Sequence, residues 1–277
     1  MPDPLFLIDA YAQIYRGFYA IRYLSNSRGQ PTNAVFTMAK FLLKMHKEYP
    51  GCAGAFVFDC GKPAFRLELA PEYKANRPPM PEELKEQMPY LKKLIAAFGW
   101  PEISREGYEA DDLLAALARD FGNKRPVRIV SSDKDIHQVI TDSVRMLVPA
   151  KDGFEERGPQ QVLEKFAVTP EQIIDYLALI GDNSDNIPGL QGVGPKTAAA
   201  LIAAHGSIDA MLTNPECIDN PKLREKVVAA ADLLRKNQAL IRLKCDVENS
   251  PWSTDPTCLE RRLPDWAALT QIAAELE

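Results

Sequence analysis

Nine acidic side chains stand where a parallel α/β sheet would bring them together. The acids of the first group each follow a strand-like apolar run: Asp9, Asp59, Asp133 and Asp135. The acids of the second group open one predicted helix: Glu109, Asp111 and Asp112. The acids of the third group follow the apolar run at 177–180: Asp182 and Asp185. Because the carboxyl ends of parallel strands meet at one edge, and a helix start tolerates clustered acids, we expect these carboxylates to converge.

Such a cluster predicts divalent-metal chemistry. Crowded like charges repel unless counterions neutralise them, and carboxylate oxygens suit Mg²⁺ or Mn²⁺. Two such ions activate water and stabilise both oxygens of an in-line phosphoryl displacement, so no covalent nucleophile is needed. The alternative for any single acid is a turn residue or a helix cap, and Asp112, taken by itself, could be such a residue. Acids after three successive strands, beside a triple cluster, are much less expected by chance.

Two further segments are suited to phosphate. The loop at 71–81 carries Lys74 and Arg77, which can reach a phosphate, and Tyr73, which can stack on a base. The glycine-rich turn at 189–198 opens a predicted helix and offers its backbone N–H groups to a phosphate. The residues of this turn that we assign to DNA are Gly192, Gly194, Lys196 and Thr197. The alternatives are a solvated surface loop and an ordinary turn between helices, although the second segment resembles a helix-hairpin-helix loop.

The periodicity of the chain predicts two regions. Apolar runs at 5–9, 53–59, 127–131 and 144–148 alternate with helical patterns at 33–48, 81–98, 110–121 and 135–140. From 159 onwards the patterns are helical, at 159–166, 170–180, 195–205, 221–243 and 264–277. We therefore predict an α/β domain with a central, mainly parallel sheet over residues 1–157, followed by an all-helical domain over 158–277.

Composition narrows the function classes. The chain is 46% hydrophobic and 26% charged, with five scattered cysteines, and it contains no GxSxG or P-loop motif. No run approaches the length of a membrane span and no leader precedes the first strand, so we expect a reduced, cytoplasmic protein. The net charge of −5 does not argue for DNA, but basic residues outnumber acids once the nine carboxylates are set aside.

Taken together, these motifs resemble the 5′-nuclease domain of bacterial DNA polymerase I, in the flap endonuclease family. The matching segments run through most of the chain: 5–9 with Tyr15 and Arg16, 56–59, 73–81, 107–112, 132–135 and 177–198. The resemblance implies a PIN-like domain, a helix-hairpin-helix element at about 181–205 and a segment at 71–100 that forms an arch over the site.

The resemblance also implies roles for individual residues. One metal ion is held by an inner set: Asp9, Asp59, Glu109, Asp111 and Asp133. A second ion is held by an outer set: Asp133, Asp135, Asp182 and Asp185. Asp112 adds negative field, Lys74 and Arg77 lie above the scissile phosphate, and K⁺ binds backbone carbonyls near Gly192 to Gly194.

The predicted function is metal-dependent hydrolysis of DNA at 5′ flaps, nicks and 5′ ends, in primer removal and repair. The expected protein is a nucleoid-associated monomer, either free or linked to a DNA polymerase, and not bound to a membrane. Two other hypotheses stay open from the sequence. One is a silent module that binds branched DNA, against which the intact acids argue, and the other is a PIN-like ribonuclease, against which the hairpin segment argues.

Overall fold

A six-stranded sheet forms the centre of the computed structural model, which describes residues 3–150 and 153–276. The spatial order is β3-β2-β1-β4-β5-β6, and only the β5–β6 pair is antiparallel. The strands are β1 (Leu5–Asp9), β2 (Gly54–Val57), β3 (Glu102–Ile103), β4 (Val127–Val130), β5 (Val144–Ala150) and β6 (Gly153–Arg157). The mainly parallel sheet that the sequence predicted is therefore confirmed.

The central strands are buried on both faces because helices cover both sides of the sheet. In β1, Leu5 and Leu7 belong to one apolar cluster, whereas Phe6 and Ile8 belong to the other. Every residue of β1 is buried, which explains why its sequence is a continuous apolar run with one acid at its end. The sheet is thus fixed by packing on two sides, and only its strand ends are free to form a site.

Thirteen helices surround the sheet within the described residues. Those of the first half are α1 (Ala10–Ala20), α2 (Asn33–Glu48), α3 (Ala64–Leu69), α4 (Glu82–Ala97) and α5 (Ala110–Gly122). Those of the second half are α6 (Pro159–Phe166), α7 (Ile173–Ile180), α8 (Pro195–His205), α9 (Ile208–Thr213), α10 (Pro221–Ala229), α11 (Ala231–Ile241), α12 (Pro251–Thr254) and α13 (Trp266–Leu276).

Several predicted elements differ in detail. The segment at 135–140 is a 3₁₀ turn, Asp135–Val139, and the segment at 170–180 starts as one, Pro170–Gln172. The predicted helix at 221–243 is two helices that meet at Ala230. Further 3₁₀ turns lie at Pro215–Cys217 and Pro256–Leu259, and Glu277, the predicted end of the last helix, lies outside the described residues.

The second half of the chain is helical apart from a two-stranded ribbon, β7 (Gly181–Asp182) with β8 (Ile187–Pro188). Its core is continuous with that of the sheet, because one apolar cluster contains both Leu7 and Ile202. Helix α13 returns to pack against α4, so the last helix lies on the first half of the molecule. The six-stranded sheet therefore belongs to the first half of the chain, whereas one apolar cluster extends through both halves.

The predicted arch at 71–100 does not stand free of the body. Residues 71–76 form a tight turn, and α4 packs against α2 with Leu84, Gln87 and Leu91 completely buried. The apolar stripe of α4 packs on α2 and on the sheet, and an arch over the site at 71–100 stays a prediction. Within the described residues, no helix has the length and hydropathy of a membrane span.

Candidate active site at the carboxyl edge of the sheet

A cavity of about 390 Å³ lies at the carboxyl ends of β1, β2 and β4. Its walls are formed by Asp9, Tyr11, Ala12, Tyr15, Asp59, Lys74, Arg77, Met80, Ala110, Asp111 and Asp133. An adjoining cavity of about 330 Å³ shares Asp9, Ala12 and Asp133 and adds Ser132, Lys134, Asp182 and Ser184. A larger cavity of about 670 Å³ between α2, α4 and α13 has no charged side chain in its walls, so the charge chemistry is concentrated in the first two.

Four carboxylates, Asp9, Asp59, Asp111 and Asp133, converge on the first cavity from adjacent strands and from α5. Asp9 ends β1 and caps α1, with Oδ1 accepting from Ala12 N at 3.0 Å and Oδ2 accepting from Ser131 Oγ at 2.9 Å. Asp59 follows β2 and accepts from Ala110 N at 2.7 Å. The strand order places β2, β1 and β4 side by side, which is why acids distant in sequence meet.

These four carboxylates have no Lys or Arg ion pair among residues 3–150 and 153–276. Burial, together with the neighbouring Asp133 and Asp59, raises the pKa of Asp9 to about 7 despite its hydrogen bonds. Burial and the charges of Asp133 and Asp9 raise the pKa of Asp111 well above its usual range. Burial also raises the pKa of Asp133. The fold therefore concentrates uncompensated negative charge at this point, as a cation site requires.

The acids from the β7–β8 turn are arranged differently, because basic side chains already contact them. Lys134 Nζ lies 3.0 Å from Asp182 Oδ2, and Arg77 Nη2 lies 2.5 Å from Asp185 Oδ1. Burial alone would raise the pKa of Asp182, but the hydrogen bonds from Ser184 and Lys134 outweigh it and lower that pKa. The turn itself needs glycine at Gly181, where φ is +74° and a Cβ would lie 2.3 Å from Gly189 N.

Asp112 faces the protein interior and is not part of the cavity wall. It is fully buried, and both of its oxygens bond the guanidinium of Arg66, at 2.7 and 2.8 Å. Asp112 Oδ1 also accepts from Lys244 N, and Oδ2 accepts from Glu109 N. Arg66 thus pairs with this carboxylate inside the protein, and the contribution of Asp112 to the negative field at the cavity stays a prediction. Asp112 fixes the start of α5.

Arg66 is a site residue that the sequence analysis missed. Only 2% of its side chain is exposed, and Nη1 bonds Glu109 Oε2 at 2.7 Å while Nε bonds the Leu240 carbonyl at 2.9 Å. The guanidinium therefore joins the acids at the start of α5 to the end of α11. A buried arginine must be paired, but nothing in the sequence of α3 marks this one, since its partners are more than 40 residues away.

Lys74 and Arg77 lie beside the acids, as predicted, in a turn that is fastened to the β7–β8 turn. Lys74 Nζ contacts Glu109 Oε1 at 2.5 Å and Asp185 Oδ2 at 3.7 Å. Burial would lower the pKa of Lys74, but Glu109 and Asp185 raise it, so its ammonium stays charged. The backbone N–H of Lys74 also donates to the Asp185 carbonyl at 3.0 Å. Two cations are thereby held at the rim of the cavity.

Tyr73 does not have the exposed ring that base stacking requires. Its side chain is buried, and its hydroxyl lies 3.1 Å from both Glu109 Oε2 and Asp185 Oδ2. A buried tyrosine directs its hydroxyl to a polar partner, and here one proton serves two carboxylates. The predicted stacking contact is therefore replaced by a structural link between α5 and the β7–β8 turn.

The predicted phosphate-binding turn lies at the surface, before α8. Gly192 has a φ of +82°, and Gly194 is the N-cap of this 11-residue helix. Lys196 and Thr197 are exposed in its first turn. Lys226 Nζ donates to the Gln191 carbonyl at 3.1 Å, so one carbonyl of the turn already has a cationic partner. The Val193 N–H donates to the Leu190 carbonyl within the turn, whereas the first-turn N–H groups of α8 and the Lys196 side chain lie where an anion could reach them.

Two observations bear on whether divalent ions fit these acids. Asp135 Oδ1 is buried without a hydrogen-bond partner in the described part of the chain, and burial with the charges of Asp133 and Asp185 raises the pKa of Asp135. A hard cation would satisfy such an oxygen. No three Asp, Glu, His or Cys side chains of the described ranges already enclose one point, so an ion would have to draw the carboxylates inwards.

Comparisons with known proteins identify the family of the chain. Residues 4–167 match the family model "5'-3' exonuclease, N-terminal resolvase-like domain", and residues 168–265 match "5'-3' exonuclease, C-terminal SAM fold". A 5'-3' exonuclease of Aquifex aeolicus is 36% identical over 274 residues, covering 99% of this chain and 92% of that protein. Thermostable DNA polymerase I of Thermus filiformis is 39% identical over 277 residues. The chain spans 32% of the length of that polymerase.

Among solved structures, the bacteriophage T5 flap endonuclease in its complex with DNA and metal ions has the same fold. The TM-score is 0.71 at 24% identity, covering 98% of this chain and 99% of the phage protein. The match extends over both the sheet and the helices, which agrees with the continuous core described above.

Proposed function

Because the chain belongs to the 5′-3′ exonuclease family, we propose that it hydrolyses phosphodiester bonds of DNA at 5′ flaps, nicks and 5′ ends. The observation that carries the proposal is the group of unpaired carboxylates at the sheet edge, beside the rim cations Lys74 and Arg77. Phosphodiester hydrolysis needs positive charge at the phosphate and an activated water, and this arrangement can supply both.

The proposed cofactors are two Mg²⁺ or Mn²⁺ ions. The inner ion would be held by Asp9, Asp59, Glu109, Asp111 and Asp133, and the outer ion by Asp133, Asp135, Asp182 and Asp185. When bound, the ions supply Lewis-acid activation of water and positive charge on both sides of the phosphorus. The raised pKa values of Asp9, Asp111 and Asp133 support the inner set, because a cation would relieve that repulsion.

Within this site, the protein's own residues position the phosphate. Lys74 and Arg77 would exchange their contacts with Glu109 and Asp185 for contacts with phosphate oxygens, because an anionic substrate competes for the same donors. Tyr73 and Arg66 would keep Glu109 in place during that exchange, since each bonds its Oε2 atom. The acids would thus stay fixed while the rim cations move to the substrate.

The turn before α8 is the proposed anchor for duplex DNA. The N–H groups near Gly192 and Gly194, with Lys196 and Thr197, would bind one phosphate group without reading bases. We also propose K⁺ as a ligand of carbonyls in this turn, next to the carbonyl that Lys226 contacts. Anchoring the duplex here and cleaving at the sheet edge explains why one chain needs both regions.

The proposed biological setting is primer removal and repair of chromosomal DNA in the cytoplasm, at the nucleoid. The relatives that are DNA polymerases carry a matching segment within a longer chain, so we propose action in concert with a polymerase, covalent or not. We propose a monomer, because the four carboxylates and both rim cations of the site come from one chain and the proposed reaction requires no residue of a second copy.

The test uses a 5′-flap duplex labelled at its 5′ end, with Mg²⁺ and with EDTA. Release of a short oligonucleotide only with Mg²⁺ is the expected result, and labelled mononucleotides would indicate exonuclease action on the same bonds. Asp111→Ala should abolish cleavage while the protein still retards the duplex on a native gel. Asp209→Ala is the matched control, because Asp209 is exposed on α9. Binding of the duplex by the wild type without any cleavage would refute the proposal. Preferential cleavage of an RNA flap would favour a ribonuclease instead.

A further inference from the structure

The two sets of acids differ in their basic partners. In the inner set, Asp9, Asp59 and Asp111 have no ion pair with Lys or Arg in the described ranges, and only Glu109 has basic partners, Arg66 and Lys74. In the outer set, Asp182 has one basic partner and Asp185 has two. At Asp185 the partners are Lys74 and Arg77, which the proposed function assigns to the substrate phosphate. At Asp182 the partner is Lys134, which has no role in the proposed function. The Lys134 ammonium is thus a positive charge beside the acids that the proposed reaction does not use.

Lys134 occupies a position that a metal ion would need. It lies between Asp133 and Asp135 in the sequence, and all three acids that it adjoins belong to the proposed outer set. Its Nζ contacts Asp182 Oδ2 at 3.0 Å, while Asp182 Oδ1 accepts from Ser184 N at 2.8 Å and Ser184 Oγ at 2.6 Å. Both oxygens of Asp182 are therefore engaged before any ion binds.

We propose that Lys134 is a built-in competitor of the outer divalent ion. An ion can take Asp182 Oδ2 only after the ammonium leaves it, because two cations cannot share that oxygen at bonding distance. The inner set has basic partners only at Glu109, and its other four carboxylates have none in the described ranges, so we expect the inner ion to bind more tightly than the outer one. The inference rests on the proposed function, specifically on the assignment of Asp182 to the outer ion.

The consequence is a site that responds to metal concentration. At low Mg²⁺ the inner position fills and Lys134 remains on Asp182, and at higher Mg²⁺ the outer position fills as well. A hydrogen bond between charged groups is strong enough that its loss should tighten the outer ion by roughly tenfold or more. The lysine thereby sets the metal concentration at which the second ion joins the first.

The experiment is a Mn²⁺ titration of the full chain, in which electron paramagnetic resonance counts free and bound ions. The wild type should bind one ion tightly and one weakly. In Lys134→Met the weak class should tighten by roughly tenfold while the tight class is unchanged. Lys44→Met is the matched control, because Lys44 is similarly exposed and pairs with Glu48 on α2, away from the acids. An unchanged weak class in Lys134→Met overturns the inference.

Further variants separate this inference from the proposed function. Asp182→Asn should remove the weak class, and Lys134→Arg should keep it weak, because the competing charge is retained. Lys134→Gln replaces Lys134→Met if circular dichroism shows that the latter does not fold. As a second readout, the Mg²⁺ midpoint for flap cleavage should move to lower concentration in Lys134→Met. Cleavage by the wild type with no shift in the variant would refute the competitor alone, whereas no cleavage and no Mn²⁺ binding would refute the proposed function.

Discussion

Replacement of Arg66 with Met tests whether one buried guanidinium stabilises the acidic edge. The Arg66 side chain is 2% exposed and bonds both oxygens of Asp112, one oxygen of Glu109 and the carbonyl of Leu240. Met has a similar unbranched shape but no donor. The variant therefore leaves the Asp112 carboxylate buried, with its two strongest donors removed and only backbone N–H groups remaining.

The expected cost follows from that uncompensated charge. Removing one partner of a buried ion pair typically destabilises a protein by about 3–5 kcal/mol. Since whole domains unfold at roughly 5–15 kcal/mol, this loss is a large fraction of the total. Replacing both partners, in Arg66→Met with Asp112→Leu, should restore much of it, because an apolar pair of similar volume often equals a buried ion pair in stability.

Urea unfolding followed by circular dichroism measures both values. Arg119→Met serves as the control, because Arg119 is half-exposed on α5 and pairs with Asp120 and Asp246. Exposed pairs of this kind contribute about 0–1 kcal/mol. The reasoning is refuted if Arg66→Met unfolds within about 1 kcal/mol of the wild type, the range expected for an exposed pair. It is also refuted if the double variant is no more stable than the single one.

The double variant also separates stability from positioning. Its fold should be largely restored, but Glu109 Oε2 would still lack the donor that Arg66 provides. Flap cleavage should therefore fall in kcat while KM for DNA stays close to that of the wild type, since the proposed DNA anchor before α8 is untouched. A double variant with full kcat would show that Arg66 acts only on stability.

Three further predictions concern the acids, the DNA anchor and the rim. The pKa of Asp9 is raised to about 7, above the ordinary value near 4. Below about pH 7 a divalent ion must therefore displace the proton of Asp9, and the affinity of the protein for the ion should fall as the pH drops. Calorimetry in two buffers of different ionisation enthalpy should detect this proton release, and its absence would contradict the raised pKa of Asp9. Because the folded protein holds this proton more tightly than the unfolded chain does, the metal-free protein should lose stability as the pH rises from about 4 to about 7. Lys196→Ala should weaken binding to all DNA sequences alike and reduce the salt dependence of the DNA affinity by roughly one counterion. Fluorescence anisotropy over a salt series measures both effects, and a loss of affinity confined to one sequence would exclude a phosphate contact. Tyr73→Phe should lower the free energy of unfolding by about 1 kcal/mol, because it removes the hydroxyl that links Glu109 to Asp185. Stability equal to that of the wild type would contradict this structural link.

The strands of the sheet were predictable where their burial leaves a pattern in the local sequence. A strand buried on both faces is a continuous apolar run, so β1, β2 and β4 are evident, together with the acids that follow them. The strands β3 and β6 were missed because they lack that signal. β3 has two residues, and β6, with the sequence Gly-Phe-Glu-Glu-Arg, is an edge strand held by its backbone bonds to β5.

The site was predictable in its acids but not in their pairing. That the acids at the ends of β1, β2 and β4 meet follows from parallel topology alone. Which of them receive a basic partner is a tertiary property, since Arg66 reaches Asp112 across 46 positions and Arg77 reaches Asp185 across 108. The same long-range packing buries the ring of Tyr73, which the sequence analysis had placed at the surface.

Asp111 and Asp112 show how the fold gives neighbouring carboxylates opposite tasks. Successive residues of an α-helix point about 100° apart, so at the start of α5 one acid faces the cavity and the next faces the interior. Asp112 is neutralised by Arg66 and fixes the helix start, whereas Asp111 has a strongly raised pKa and no basic partner in the described ranges. A rigid helix start that directs one uncompensated charge into the cavity suits the proposed cation site, and it gives each of the two adjacent aspartates a separate task.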